Sequence, residues 1–232
     1  MAAQPKAGAI PSVWARAKPA PSQPALSRAL IVREAIAMLD ADGIEALSMR
    51  KLGARLNAGA TSLYRHVALK DELMELALDE VLGEVAPPPE DPADWRTAVT
   101  DFAASFRATA LRHPWMCTVL GQAGLAYLGP HLSALSQRLS TLFTNAGFPD
   151  PGTAINALYS YAIGMVTTEL AWLNTVARSR QTEADFLARL LPPASHEGQS
   201  GTQAADPRTI RDDHFDNALE LVLDGLACQL TR

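Results

Sequence analysis

The chain has 232 residues, of which 48% are apolar and 19% charged, with a net charge of −5. That composition supports a buried core and places the chain among soluble globular proteins. It contains no uninterrupted run of the ~18 apolar residues that read as a membrane span, and no apolar stretch of the secretory kind follows the first Met. Its two cysteines, Cys117 and Cys228, form neither a CxxC motif nor a disulfide framework, so a reducing cytoplasm is the expected location, with inert buried thiols expected and a thiol sensor as the alternative.

Residues 1–25 hold prolines at 5, 11, 19, 21 and 24 together with Lys6, Arg16 and Lys18. They read as a disordered arm, either inert or able to reach along a nucleic acid. From Leu26 the apolar positions acquire helical spacing. Ile31, Ala35, Met38 and Leu39 predict an amphipathic helix over about 27–42, ended at Gly43, a residue free to adopt positive φ. Ser48 then stands as an N-cap before Met49, Leu52 and Leu56, which share one face of a helix of about nine residues. Asn57-Ala58-Gly59 stops it, Asn and Gly both tolerating the left-handed backbone of a tight turn. A short helix is expected over about 60–66, with only Leu63 and Val67 facing inward. Another is expected over about 70–85, with Leu73, Leu76, Ala77 and Val81 on one stripe.

The outward face of the short helix carries chemistry. Arg65 can fork onto a guanine, and Thr61 and Ser62 can reach bases or backbone oxygens. Tyr64, His66 and Lys70 suit phosphates. On an isolated helix such a face is simply solvated, but the order helix, tight turn, short polar helix favours DNA reading. Charge follows the same division. Basic residues outnumber acidic ones by 3 to 0 over residues 1–25 and by 7 to 4 over 26–70, against 10 basic to 21 acidic from Asp71 onward. Such asymmetry orients an approaching protein toward a polyanion.

The run LSMRKLGARLNAGATSLYRHVALKDELMELALDEVL resembles the DNA-binding region of tetracycline-repressor-like (TetR family) regulators. Leu63-Tyr64-Arg65-His66-Val67 and Lys70-Asp71-Glu72-Leu73 stand in that family's order and spacing, and the match spans roughly Ser27 to Val85. The resemblance implies an all-α fold, with an N-terminal three-helix helix-turn-helix DNA-binding domain (26–86) and a C-terminal helical ligand-binding and dimerisation domain (87–232). It also implies that Ser48 and Arg50 contact DNA from the first helix of the pair, that Thr61, Ser62, Tyr64, Arg65 and His66 do so from the second, and that Lys70 binds a phosphate. Ala60 stands where the founding repressors carry a long amide, so their operator sequence does not transfer.

Beyond Pro87-Pro88-Pro89, helices are predicted over about 94–112, 115–120, 130–146, 151–176, 183–191 and 212–230, with Pro192 to Arg208 as a mobile loop. The long helix carries Ile155, Leu158, Ala162 and Met165, and the last carries Phe215, Leu219, Val222 and Leu226. Two such stripes from each of two subunits make a four-helix homodimer interface suited to a palindromic site; packing within one chain is the alternative, and the sequence leaves both open. A mostly apolar effector pocket is expected from Phe102, Phe106, His113, Trp115, Met116, Tyr127, Asn156, Tyr159 and Glu169, with ordinary core packing as the alternative for each residue. By the resemblance, a small effector binds there, pivots the fourth helix and weakens operator binding. The stretch from Arg112 to Pro130 is also similar to the tetracycline-repressor branch, but that branch's metal site is not carried over. No cofactor or metal is expected, since the five histidines (66, 113, 131, 196, 214) fall at no ligand spacing. Nor is there a GxSxG, HExxH, GxxxxGK[ST] or GxGxxG motif, which argues against an enzyme. The competing reading is a constitutive architectural DNA-binding protein without an effector.

Overall fold

The computed structural model describes residues 26–89, 94–123, 129–190 and 206–230, and among them there is no strand. The expected disordered arm at 1–25 and most of the expected loop at 192–208 lie outside these residues.

Local caps set where each helix begins. The hydroxyl of Ser27 accepts from the Leu30 amide at 3.2 Å to open α1 (Arg28–Asp42), which ends at Gly43 with φ 79°. A 3-10 turn over Ile44–Ala46 leads to α2 (Met49–Arg55), α3 (Ala60–Leu63) and α4 (Lys70–Leu82). The remaining helices are α5 (Trp95–Arg112), α6 (Met116–Ala123), α7 (Pro130–Asn145), α8 (Pro151–Ser179), α9 (Glu183–Leu190) and α10 (Pro207–Ala227). Asp94 and Asp150 cap α5 and α8. α7 closes in a Schellman turn: Gly147 adopts φ 86°, the Phe148 amide bonds the Phe143 carbonyl at 3.0 Å, and the two rings pack edge-on at 4.9 Å.

Several boundaries differ from the sequence expectation, each for a local reason. α2 has seven residues, because Asn57 turns left-handed at φ 48°. α3 stops at Leu63, yet the chain keeps coiling, with the Val67 amide on the Leu63 carbonyl at 3.1 Å. α4 stops at Leu82, where the Gly83 amide is shared between the Asp79 and Glu80 carbonyls. α10 begins at Pro207 rather than near Asp212, since Asp206 accepts from the Arg208 amide at 3.2 Å and Pro207 presets the first turn. Asp206 to Arg208 are therefore the start of a helix and not loop.

α1 packs on α2 and α4, and α2 on α3. In the second half α8 is central, with α5, α6, α7 and α10 around it and α9 against it. α4 joins the halves by packing on α1 and also on α6 and α7. Its apolar surface is accordingly wider than one stripe: Met74, Leu78 and Leu82 are buried beside Leu73, Ala77 and Val81. The apolar core runs without a break from Ile31 to Leu226.

Candidate nucleic-acid interface and ligand region

The corner between α2 and α3 is a Schellman turn. The Asn57 amide bonds the Ala54 carbonyl at 3.2 Å and the Ala58 amide bonds the Gly53 carbonyl at 2.8 Å. A Cβ on Gly53 would lie 2.6 Å from the Ala58 oxygen, so this close approach requires glycine. Gly59, expected to share the left-handed role, instead has φ −67°; Asn57 alone supplies it.

This corner turns α3 and the coil after it so that Leu63 and Val67 are buried while Arg50, Thr61, Tyr64 and Arg65 are exposed. Ser48, Ser62, His66 and Lys70 are half-buried on the same consecutive elements. Ser48 accepts from the Lys51 amide at 3.2 Å, which caps α2 and leaves the hydroxyl proton to donate outward. The segment behind the exposed face is pinned from two helices. Arg28 of α1 donates to the His66 carbonyl at 3.1 Å, and Glu72 of α4 accepts from the Ala68 amide at 2.6 Å. Leu69, between His66 and Lys70, is 63% exposed.

Behind this head, His113 and Trp115 join it to the rest of the molecule. The His113 Nδ1 lies 2.8 Å from Asp40 Oδ1, and its Nε2 lies 3.3 Å from Glu84 Oε2. The Trp115 indole donates to the same Asp40 oxygen at 2.7 Å. Arg112 binds Glu84 at 2.8 Å; this bond, with help from His113, holds the Glu84 carboxyl below the ordinary range. Two residues expected in a pocket thus tie the end of α1 to the segment after α4 and to the α5–α6 corner.

The other expected pocket residues separate. The rings of Phe102, Phe106 and Tyr159 pack at centroid distances of 6.0 to 6.4 Å and are fully buried, as is Met116. They form closed core. The Tyr159 hydroxyl is buried without a well-formed hydrogen bond, facing Ser136 only loosely. Asn156 is exposed on α8, and Tyr127 lies outside the described residues. Glu169, 9% exposed, is held on both oxygens by Arg107 at 2.7 and 2.8 Å. Arg211 adds a bond to Glu169 at 3.1 Å and pairs with Glu183. Glu169 lines a cavity of about 330 Å³ between α8, α9 and α10, together with Trp172 and Phe215. A larger cavity, about 730 Å³, lies between α4 and the α6–α7 side; Leu78, Leu82, Val119 and Leu132 line it together with the charged Lys70, Asp71, Glu72, Glu75 and Asp79.

The expected dimer stripe is mostly used within the chain. Leu158, Ala162, Phe215, Leu219 and Leu226 are buried in its own core, so they have no area left for a partner; Ile155, Met165 and Val222 remain half-buried. The reason is that the most apolar positions of α8 and α10 pack these two helices on each other and on α5. The surface left outside includes Leu221, 74% exposed, and Gly164 and Gly225, around which a Cβ would meet nothing.

The defining pattern of the tetracyclin repressor-like C-terminal domain matches residues 88–230. An HTH-type transcriptional regulator of Saccharopolyspora erythraea is 37% identical over 95% of this chain and 93% of its own length. The chain belongs to the TetR family. It is accordingly a DNA-binding transcriptional regulator. The transcriptional repressor DrrR1 of Streptomyces coeruleorubidus is 33% identical over 88% of this chain and 78% of its own. Among solved structures, the Streptomyces coelicolor TetR family protein ActR, in complex with actinorhodin, superposes with a TM-score of 0.69 at 27% identity, covering 89% of this chain and 99% of its own.

Sequence reasoning missed several residues of this TetR-family chain that the fold puts to work: Asp40, Glu84, Arg107, Arg211 and Gly53. For Asp40 the signal was slight, a carboxylate directly after the buried Leu39 at the end of α1. Arg107 and Arg211 lie on helices whose apolar stripes gave no hint that a guanidinium would turn inward.

Proposed function

We propose that the protein is a homodimeric repressor in the cytoplasm. Residues 26–86 read a palindromic operator, and residues 87–232 dimerise and bind a small, mostly apolar effector that releases the DNA. The observation that carries this reading is the α2–turn–α3 corner, closed by Gly53 and Asn57, with Arg50, Thr61, Ser62, Tyr64, Arg65 and His66 on its outer side and Ser48 and Lys70 at the adjoining helix starts. In this role Arg65 reads a base edge while Tyr64, His66 and Lys70 hold phosphates. Leu221, Gly164 and Gly225 supply the outer surface for a second copy, small residues allowing helices to approach. The larger cavity is the effector site we favour over the smaller, because α4 forms one of its walls and a ligand shifts an equilibrium only through contacts that differ between its two states.

The test is binding to the DNA upstream of the protein's own gene, titrated against salt. Saturable binding to one short palindrome, lost in Arg65→Ala and weakened in Tyr64→Ala while both variants stay folded, is the expected result. Unchanged affinity in both variants removes the assigned reading helix. Binding with no sequence preference favours the architectural alternative, as does a site that no small molecule releases.

A further inference from the structure

α7 starts without a cap of its own. Its N-cap residue is Gly129, which has no side chain to offer, and Pro130 follows. The first free amides are met instead by a residue more than fifty positions earlier. Asp79 of α4 accepts from the His131 amide at 3.0 Å and from the Leu132 amide at 3.3 Å through Oδ1, and its Oδ2 lies 2.9 Å from His131 Nδ1. The backbone on both sides is cleared for this contact. A Cβ on Gly129 would fall 2.2 Å from Asp79 Oδ1, and one on Gly83 would fall 3.0 Å from the His131 ring. An acidic group at a helix N-terminus also meets the positive end of the helix dipole, and the Asp79 side chain is 15% exposed, so solvent weakens this attraction little.

The placement has a consequence for the head. α4 begins with Lys70 on the DNA side, packs on α1, and runs to the α6–α7 side. Whatever sets the angle of α4 on the second half therefore acts on where the head sits, alongside the tie from Asp40 to His113 and Trp115. We propose that Asp79 is a positioning residue: by capping α7 across the junction, and pairing with His131, it locks α4 in the DNA-binding arrangement. The link from α4 position to operator affinity rests on the reading above; the link from Asp79 to α4 position does not. Asp79 touches no DNA in this scheme. Its loss lowers affinity by letting α4 wander among arrangements of which only a fraction are competent to bind.

The experiment uses the full chain with spin labels at the exposed positions Ala37 on α1 and Ala104 on α5, diluted with unlabelled chain, in wild type, Asp79→Ala, Asp79→Asn and His131→Ala. The expected result is a single narrow distance distribution in wild type and a broad one in Asp79→Ala. Asp79→Asn, which keeps an acceptor for the two amides, and His131→Ala, which keeps the cap, fall between. On the upstream DNA, Asp79→Ala binds about tenfold more weakly at each salt concentration with the salt slope unchanged, because no phosphate contact is lost. A merely structural role would lower the melting temperature without broadening the distances of the folded protein. A distribution in Asp79→Ala as narrow as in wild type overturns the proposal; if that variant does not fold, equally narrow distributions in both other variants do so. Absence of DNA binding by wild type would instead sink the operator reading, and the distances would still decide the role of Asp79.

Discussion

Gly53 bears the tightest steric constraint in the reading head. Alanine is better than glycine inside a helix by about 1 kcal/mol, so Gly53→Ala would stabilise α2 if the site were open. The added Cβ meets the Ala58 backbone oxygen at 2.6 Å, however, and Ala58 is itself tied to Gly53 through its amide at 2.8 Å, so this oxygen cannot swing aside as a flexible side chain can. Overpacking therefore wins, and Gly53→Ala is expected to lower the unfolding free energy in urea by about 1–2 kcal/mol. Gly59→Ala, with nothing within 4 Å of its Cβ, is the control and is expected to change it by less than about 0.5 kcal/mol. Two buried groups and one half-buried group give the molecule an alkaline limit. Burial pushes the Cys117 thiol from 9.0 up to about 12, and the Tyr159 and Tyr161 hydroxyls from 10.0 up to about 12. Raised values in the folded state mean that the unfolded chain loses these protons first as pH rises. Their contribution to stability is complete below pH ~9 and declines from there toward pH ~12. Melting temperatures measured from pH 8 to 11 should fall progressively, and Cys117 should resist alkylation at pH 8 until the protein unfolds. A flat profile would contradict this burial.

At the scale of elements, α5, α8, α9 and α10 are joined by an ion network as well as by apolar packing. Arg107 and Glu169 are 12% and 9% exposed at their side chains and form a two-pronged pair, with Asp212 on Arg107 at 2.8 Å. Hydrogen bonding to Glu169 raises the Arg107 guanidinium above its ordinary value, against the pull of burial. Removing one partner leaves a half-buried charge, which costs more than the pair contributes net. Arg107→Ala is expected to destabilise by about 3 kcal/mol, and adding Glu169→Ala to recover part of that loss. A double-mutant cycle in urea measures the coupling; additive losses would show that the two charges are not paired in solution.

The whole molecule carries a net charge of −5 yet has three more basic than acidic residues over 26–70, so it should approach DNA head first and bind with a steep salt dependence. Leu221→Lys puts a charge on the proposed outer face of α10 without touching the core. It is expected to give monomers in sedimentation and to weaken operator binding by removing the second head; a dimer that persists would move the interface elsewhere. Much of this architecture was legible in the sequence, because helix formation is local. The stripe Ile31, Ala35, Met38 and Leu39 is buried in full, the turns at Gly43 and Gly147 take positive φ, and Thr61, Tyr64 and Arg65, proposed to contact DNA, are exposed around the buried Leu63 and Val67. What local pattern cannot say is which neighbour an apolar stripe will meet. Leu158 and Leu219 were equally suited to a partner subunit and to their own chain, and only packing put them inside. Nor does periodicity reveal contacts between residues far apart along the chain, such as Asp40 with His113, 73 positions away, or Asp79 with the start of α7. The sequence by itself determined where most helices lie, where several of them stop, and which polar side chains crowd the outer side of α2 and α3. Tertiary structure alone decided which polar groups pair across the junction and which faces remain open, since those depend on the relative placement of helices that no short-range spacing encodes.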